Sequence, residues 1–309
     1  MLHAFELWGP SAKFPETVVS AHGMRLLSGT EVKQVLLDHR VYRQAVGSNC
    51  PLLIPTRYGV RVEIGLGTAS SFAGATGHSD DLLRACAAHG MATDASLVTP
   101  LGAATIADLL NDSIATFDPA QELEWTVEAF ARYLAPQRSW ENRFGESYDF
   151  DLCMRSLLSR PLGTGACLGT HALYAFAVLL RIDEKAPILS STVRSRVRVR
   201  LRDAAGCLAR NQRADGAWTK DWPVRVPAAS SGLDWEALTA TGHHLEWIAL
   251  LSDDLRPPKA SLRKAVCFLV ASTNGLSSHE ETDYYLPIAH AARALCLMRN
   301  TSPEALLGG

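Results

Sequence analysis

The chain has 309 residues, of which 47% are hydrophobic and 20% charged, with a formal net charge of −2. That is enough for one large domain or two small ones around a sizeable core, and the near-neutral balance gives no electrostatic reason to expect nucleic acid or an anionic membrane as partner. No apolar run reaches the roughly 18 residues that span a bilayer. The seven cysteines are scattered with no CxxC pair, so reduced thiols in a cytoplasm are expected.

Residues 1–10 lack a basic region followed by an apolar stretch, and no signal peptide is expected. Residues 28–46 read as a helix, with Thr30 as N-cap and Val32, Val35, Leu36 and His39 on one stripe. Val60, Val62 and Ile64 alternate with Arg61 and Glu63, which predicts a short β-hairpin near residues 56–67. Residues 69–77 are small and Gly-rich, and read as a loop. Residues 1–76 are thus the less regular part of a single domain over 1–309.

From residue 77 to 300 helix-like segments alternate in character. Those near 102–117, 148–159, 191–211 and 259–272 are amphipathic. In 191–211, Val193, Val197, Leu201, Ala204 and Leu208 form one stripe, and the arginines between 194 and 202 form a solvated face. Segments near 78–90, 121–135, 170–182, 240–252 and 284–299 are apolar nearly all round, with polar residues at their N-terminal ends. The longest apolar stretch, residues 172–180, stops at Arg181. A helix that is apolar all round must be covered all round, so the alternation predicts two concentric helical layers. The expected fold is all-α, an α/α toroid of five to six helical hairpins repeating roughly every 40 to 60 residues. An open solenoid or an irregular bundle is the alternative.

Residues 207–218 (CLARNQRADGAW) run from an amphipathic helix into Gln212, Gly216 and Trp218. The string resembles the Q-x(2–5)-G-x-W repeat of squalene–hopene and related terpenoid cyclases. Residues 167–180 (CLGTHALYAFAVLL) resemble the inner-helix opening of protein prenyltransferase β subunits. Together these imply the terpenoid cyclase and protein prenyltransferase superfamily of toroids, and with it an isoprenoid-like substrate that is cyclised or transferred.

Polar residues recur three apart at the starts of the apolar helices: His78 and Asp81, Gln121 and Glu124, His243 and Glu246. Glu124-Trp125 and Glu246-Trp247 repeat the string Leu-Glu-Trp, His171 opens another such helix and His290 lies in the last. Residues three apart share a helix face. In a toroid these tips would gather at one mouth, a funnel of histidines and carboxylates in an apolar wall. The candidate catalytic residues are therefore Asp80, Asp81, Glu124, His171, His243 and Glu246. His78, Trp125, Tyr174, His244, Trp247 and His290 are candidate substrate contacts. The same carboxylates could instead serve only the helix dipoles, and Thr241-Gly242 could be an entry turn. His78-Ser79-Asp80-Asp81 resembles the Asp-x-Asp-Asp motif of class II terpenoid cyclases, with His78 at the first position, which would make Asp80 the proton donor.

No cofactor is expected, although Cys167, His171 and His243 offer a zinc alternative, joined by His290. Asp283 ahead of His290 is similar to the Asp and His zinc ligands of prenyltransferases. Gly65-x-Gly67 is not a nucleotide fingerprint. The ligand is expected to be small and apolar, or sugar-like. Two competing readings remain. A carbohydrate-active α/α barrel using His243, Glu246 and Glu124 would have an open polar cleft. A noncatalytic scaffold would have a filled centre and exposed, unpaired histidines.

Overall fold

A computed structural model describes residues 1–14, 18–19, 25–26, 28–46, 51–63, 78–224, 234–274, 276–277, 281 and 284–306. Among them the protein is mostly helical, and its strands form four separate two-stranded antiparallel sheets. The chain folds as two compact units, Met1–Cys153 and Met154–Gly309.

In the first unit, α1 (Leu2–Trp8) buries Leu2, Phe5 and Leu7. Residues 28–46, expected as one helix, are two: α2 (Val32–Leu37) and α3 (His39–Val46). The break is Asp38, extended at φ −123 and ψ 109. Its Oδ1 accepts the backbone N–H of Arg40 at 2.8 Å, and an Asp that bonds its own backbone two residues on competes with the helical ladder. The N-cap is Glu31 rather than Thr30, with Gln34 Oε1 accepting the Glu31 N–H at 2.9 Å. The expected hairpin begins earlier than residue 56, pairing Leu53–Pro55 with Val60–Val62. Ile64, Gly65, Gly67, residues 69–77 and Asp283 lie outside the described residues.

A hairpin of Ser96–Thr99 with Gly102–Thr105 occupies the start of the segment read as helix from 102, and α5 (Ile106–Thr116) follows it. Thr105 is extended at φ −135, and both its N–H and its hydroxyl donate to Asp108 Oδ2, which fixes that boundary. α4 (Asp81–Ala88) packs on α6 (Glu124–Leu134), and both are buried along most of their lengths. A further hairpin pairs Ser139–Glu141 with Ser147–Asp149. It sets Trp140 edge-on against Phe117, Phe130 and Phe150 at 5.0–5.2 Å.

The boundary between the units falls within α7 (Phe150–Ser159). The second unit then holds α8 (Thr170–Asp183), α9 (Ser191–Asn211), α10 (Trp235–Ala249), α11 (Lys259–Thr273) and α12 (Tyr285–Arg299). α8 and α10 are buried on nearly every side, as their composition predicts. The stripe Val193, Val197, Leu201, Ala204 and Leu208 of α9 is buried. Its arginines are not simply solvated: Arg198 pairs with Asp254 at 2.6 Å, and Arg200 donates to the carbonyls of Leu158 and Arg160. α12 departs from expectation, exposing Tyr285 and Leu286 while burying Ala289, His290, Ala291 and Ala294. Ala166–Asp183 has the length and apolarity of a membrane span, but 72% of it is buried, the pattern of a core helix.

The Gln212–Trp218 segment ties three helices together. Gln212 Nε2 donates to the carbonyls of Gly216 at 2.9 Å and Ser261 at 2.8 Å. The buried Trp218 donates Nε1–H to Leu208 O, and Thr241 Oγ1 accepts its backbone N–H. Gly216 has φ +96, and a Cβ there would lie 2.3 Å from Lys264 O. Gly216→Ala is expected to cost about 2–3 kcal/mol through strain and the lost close approach. Urea denaturation reads this, and an unchanged midpoint would mean that the loop gives way freely.

Gly242 is not an entry turn but lies inside α10, where a Cβ would come within 3.0 Å of Ala291 N and of His290. The missing side chain lets α12 close on α10 beside His243 and His290, and no pair of helices packs more extensively among those described.

Candidate functional site

The second unit brings several of the expected residues together. α10 supplies His243 and Glu246 three residues apart, and α12 supplies His290 and Arg293 at the same spacing. Glu246 Oε1 accepts from His290 Nδ1 and from Arg293, both at 3.1 Å, and Oε2 lies 3.4 Å from His243 Nδ1. The rings of His243 and His290 are 3.8 Å apart. Arg293 also donates to the Tyr174 hydroxyl of α8 at 2.7 Å. His171, in the first turn of α8, sets its ring 5.4 Å from that of His243.

His243 has a second partner, hydrogen-bonding Cys167. Burial alone would push His243 down, but the hydrogen bonds and charges of Cys167 and Glu246 outweigh it and raise its pKa to about 9. Burial would likewise push Glu246 up, yet the charges that His290 and Arg293 carry at acid pH and the hydrogen bonds of both histidines hold it well below the usual carboxylate range. His290 goes the other way, to about 4, because of burial and then the charge of His243. The two histidines share one carboxylate and compete for one proton, which His243 keeps. Near pH 7 the cluster of His243, Glu246, His290 and Arg293 therefore carries one positive charge in excess. A Cys167 thiolate would neutralise it.

The backbone at Cys167 is unusual. Cys167 (φ 43, ψ 48) and Leu168 (φ 60, ψ 36) are both left-handed, followed by Gly169 at φ 77, the N-cap of α8. Each non-glycine residue held there costs about 1–3 kcal/mol and persists only where its surroundings impose it. Here Thr170 Oγ1 donates to Cys167 O at 2.7 Å, and Trp222 Nε1 donates to Leu168 O at 3.1 Å. The turn leaves Cys167 exposed at the positive end of a 14-residue helix.

A cavity of about 270 Å³ opens beside it, lined by Cys167, Leu168, Trp222, Ala240, His243 and His244 among others, with Lys220 and Glu236 paired at 3.0 Å at its edge. Trp247, a candidate substrate contact, is wholly buried and donates Nε1–H to His244 Nδ1 at 3.1 Å. His244 itself is pushed down to about 3 by burial and the charge of His243.

No protein-family model, curated protein or solved structure matches the chain.

The remaining expected residues belong to the first unit. Asp81 forms a buried cluster with Arg84 (2.8 Å) and Glu6, and the guanidinium lies 4.4 Å over the Trp125 ring. That gives Asp81 and Trp125 a structural duty. Glu124 is fully buried at the start of α6, and His78 Nδ1 is 2.8 Å from Glu122. Asp80 adopts φ 56 at the N-cap of α4 and accepts from Ser113 at 2.8 Å and from Thr126 at 2.5 Å. Burial raises its pKa beyond what these hydrogen bonds lower, and Asp112 adds to the rise. Asp80 and Asp112 line a cavity of about 170 Å³ with Arg61, Ser79 and Gln121.

Sequence reasoning missed Arg293 and gave Cys167 only as a zinc ligand. The available signals were the i,i+3 spacing of His290 and Arg293 and the Gly165, Gly169 pair around the cysteine.

Proposed function

We propose that the second unit is a thiol-dependent acyl-transfer enzyme, with Cys167 as nucleophile, His243 as its proton partner and Glu246 holding that imidazole. The observation that carries this is the line Cys167–His243–Glu246 opening on a cavity. A cation beside a thiol at a helix N-terminus favours the thiolate, which is the reactive form. The thiolate attacks a carbonyl carbon as the carbonyl π pair moves to oxygen. Collapse expels the leaving group, which takes the His243 proton. Water then cleaves the thioester, returning a proton to His243 and the thiolate to Cys167. The buried, partnered histidines and the open cavity favour an enzyme over a scaffold, and the apolar wall of Leu168, Ala240 and Trp222 suits a small apolar acyl group better than a sugar.

Alternation of buried α8 and α10 with half-buried α9 and α11 supports the α/α-toroid architecture that the Gln212–Trp218 segment implies by resemblance. Isoprenoid chemistry has separate support in Asp80, whose raised pKa and cavity suit a proton donor. Asp80→Asn with unchanged conversion of a polyprenyl probe would dismiss it. Zinc takes nitrogen and sulfur donors of the kind that Cys167, His171 and His243 offer, but these three are not among the groups whose donor atoms gather together. It fits His243, Glu246 and His290 poorly, because Arg293 already sits 3.1 Å from the carboxylate. Stoichiometric zinc in the purified protein, by plasma mass spectrometry, would replace the thiol reading with a metal one.

Iodoacetamide labelling followed by mass spectrometry tests the thiolate directly. Cys167 should react at pH 7 roughly 10-fold or more faster than Cys267, the other exposed thiol among the described residues, and His243→Ala should remove the advantage. Equal rates in the unaltered protein overturn the proposal.

A further inference from the structure

The first unit has a cavity of its own. At about 170 Å³ it is smaller than the roughly 300–1,000 Å³ of drug-sized ligand pockets, so it admits only a small molecule. Asp80 and Arg61 bring opposite charges to its wall, and both are fixed by neighbouring residues of α5. Ser113 Oγ donates to Asp80 Oδ2 at 2.8 Å, and Arg61 Nε donates to Asp112 Oδ2 at 3.2 Å. Each anchor keeps bonding capacity in reserve. Thr126 Oγ1 also donates to Asp80 Oδ2, and Oδ1 accepts no hydrogen bond among the described residues. An Asp at an N-cap ordinarily bonds the first turn of its own helix, but the Asp80 side chain makes no such bond. Arg61 engages only Nε, and its two terminal nitrogens have no partner among the described residues. Val60, Val62, Leu83 and Leu109 supply the apolar part of the lining. Burial and the charge of Asp112 both oppose ionisation of Asp80, and a cation against its carboxyl would relieve them.

We propose that this cavity binds a small zwitterion of the α-amino acid class, with its ammonium on Asp80 Oδ1, its carboxylate on the terminal nitrogens of Arg61 and an aliphatic side chain against the apolar lining. The charges on the wall select this class. A bare anion would meet the carboxylates of Asp80 and Asp112, and a bare amine would leave the Arg61 fork unused. A guanidinium presents paired N–H groups in one plane, which a carboxylate matches. An ammonium has only donors to offer, which suits a carboxylate oxygen whose lone pairs are open. The two anchors stand on adjacent residues of one helix, so a small molecule can engage both. The inference goes beyond the thiol chemistry of the second unit and does not depend on it. An ammonium on Asp80 requires that carboxyl ionised, whereas a proton donor must be neutral, so the occupied cavity cannot also protonate an isoprenoid.

Titration calorimetry on the full chain tests this with L-valine and with its two halves, isobutylamine and isobutyrate. L-Valine should bind, and each half should bind about 10-fold or more weakly, because each lacks one charge-assisted contact. Asp80→Asn and Arg61→Gln should each weaken L-valine by a similar factor. Asn tolerates the left-handed backbone at residue 80 and can still accept from Ser113 and Thr126. Should Asp80→Asn nevertheless fail to fold, Arg61→Gln decides the matter, since that side chain is 53% exposed and lies outside the core. Isobutylamine binding as tightly as L-valine would remove the carboxylate contact and overturn the zwitterion. Isobutyrate binding as tightly would mean that the ligand meets no ionised Asp80, and overturns the ammonium contact. Failure of the unaltered protein to bind L-valine at millimolar concentrations, or full affinity in either variant, overturns the proposal and leaves the thiol reading of the second unit untouched.

Discussion

Cys167→Ser is expected to lower acyl transfer by about 10⁴-fold or more while leaving thermal stability within about 0.5 kcal/mol. The two halves of that expectation have different origins. A serine hydroxyl beside the same imidazolium is not ionised at neutral pH, so the positive charge of His243 activates sulfur and not oxygen. The fold loses little because Cys167 is exposed, a serine hydroxyl can still hydrogen-bond His243, and the main-chain restraints, from Thr170 to the Cys167 carbonyl and from Trp222 to Leu168 O, do not involve the side chain. Progress curves with an activated ester, alongside calorimetry on both proteins, check the pair. A serine variant that turns over at more than a tenth of the original rate would remove Cys167 from the chemistry.

The helices were legible where a stripe was long. α9 begins and ends at the residues its pattern marks, Ser191 and Asn211, because its long apolar stripe outweighs the period-two alternation of Val197–Arg202, which on its own would suit a strand. The hairpins were not, since strands of three or four residues such as Ser96–Thr99 and Gly102–Thr105 hold too few positions to establish alternation. The division at Asp38 depends on a side chain bonding the backbone N–H of Arg40, a local competition that apolar periodicity does not register. At the site, the i,i+3 spacing correctly placed His243 and Glu246 on one face. It could not tell that Glu246 would be shared with α12, because that depends on how closely Gly242 lets the two helices approach. The same spacing grouped His78 with Asp81, whereas each has found a different partner, Glu122 and Arg84. A carboxylate in a first turn is favoured by the helix dipole whether or not it faces a site, so pattern alone could not separate Asp81 from Glu246.

The second large effect is expected at Glu246, on stability and on its dependence on pH. Glu246→Gln leaves the buried His243 and the half-buried Arg293 without their counter-charge, a loss of about 3–5 kcal/mol. Adding Arg293→Met should return part of it, because a charge removed together with its partner is no longer stranded. The pH profile carries the sign of each group. Glu246 has a depressed pKa in the folded state, so its contribution is present above the ordinary value of 4.5 and is lost as pH falls below it. His290 and His244 are neutral when folded, and unfolding lets them bind protons. Stability therefore declines from about pH 6.5 down towards their folded values of about 4 and about 3. His243 acts oppositely: raised from 6.5 to about 9, it contributes fully below 6.5 and its share is lost as pH rises through 9. The melting temperature of the unaltered protein should thus be highest near neutrality and fall on both sides. In Glu246→Gln the alkaline decline should flatten, because a principal cause of the raised His243 value is gone. Calorimetry at pH intervals from 4 to 10 reads both limbs. An alkaline limb of the same steepness in the variant would mean that Glu246 does not hold the His243 charge, and the electrostatic arrangement behind the Cys167 nucleophile would fall with it.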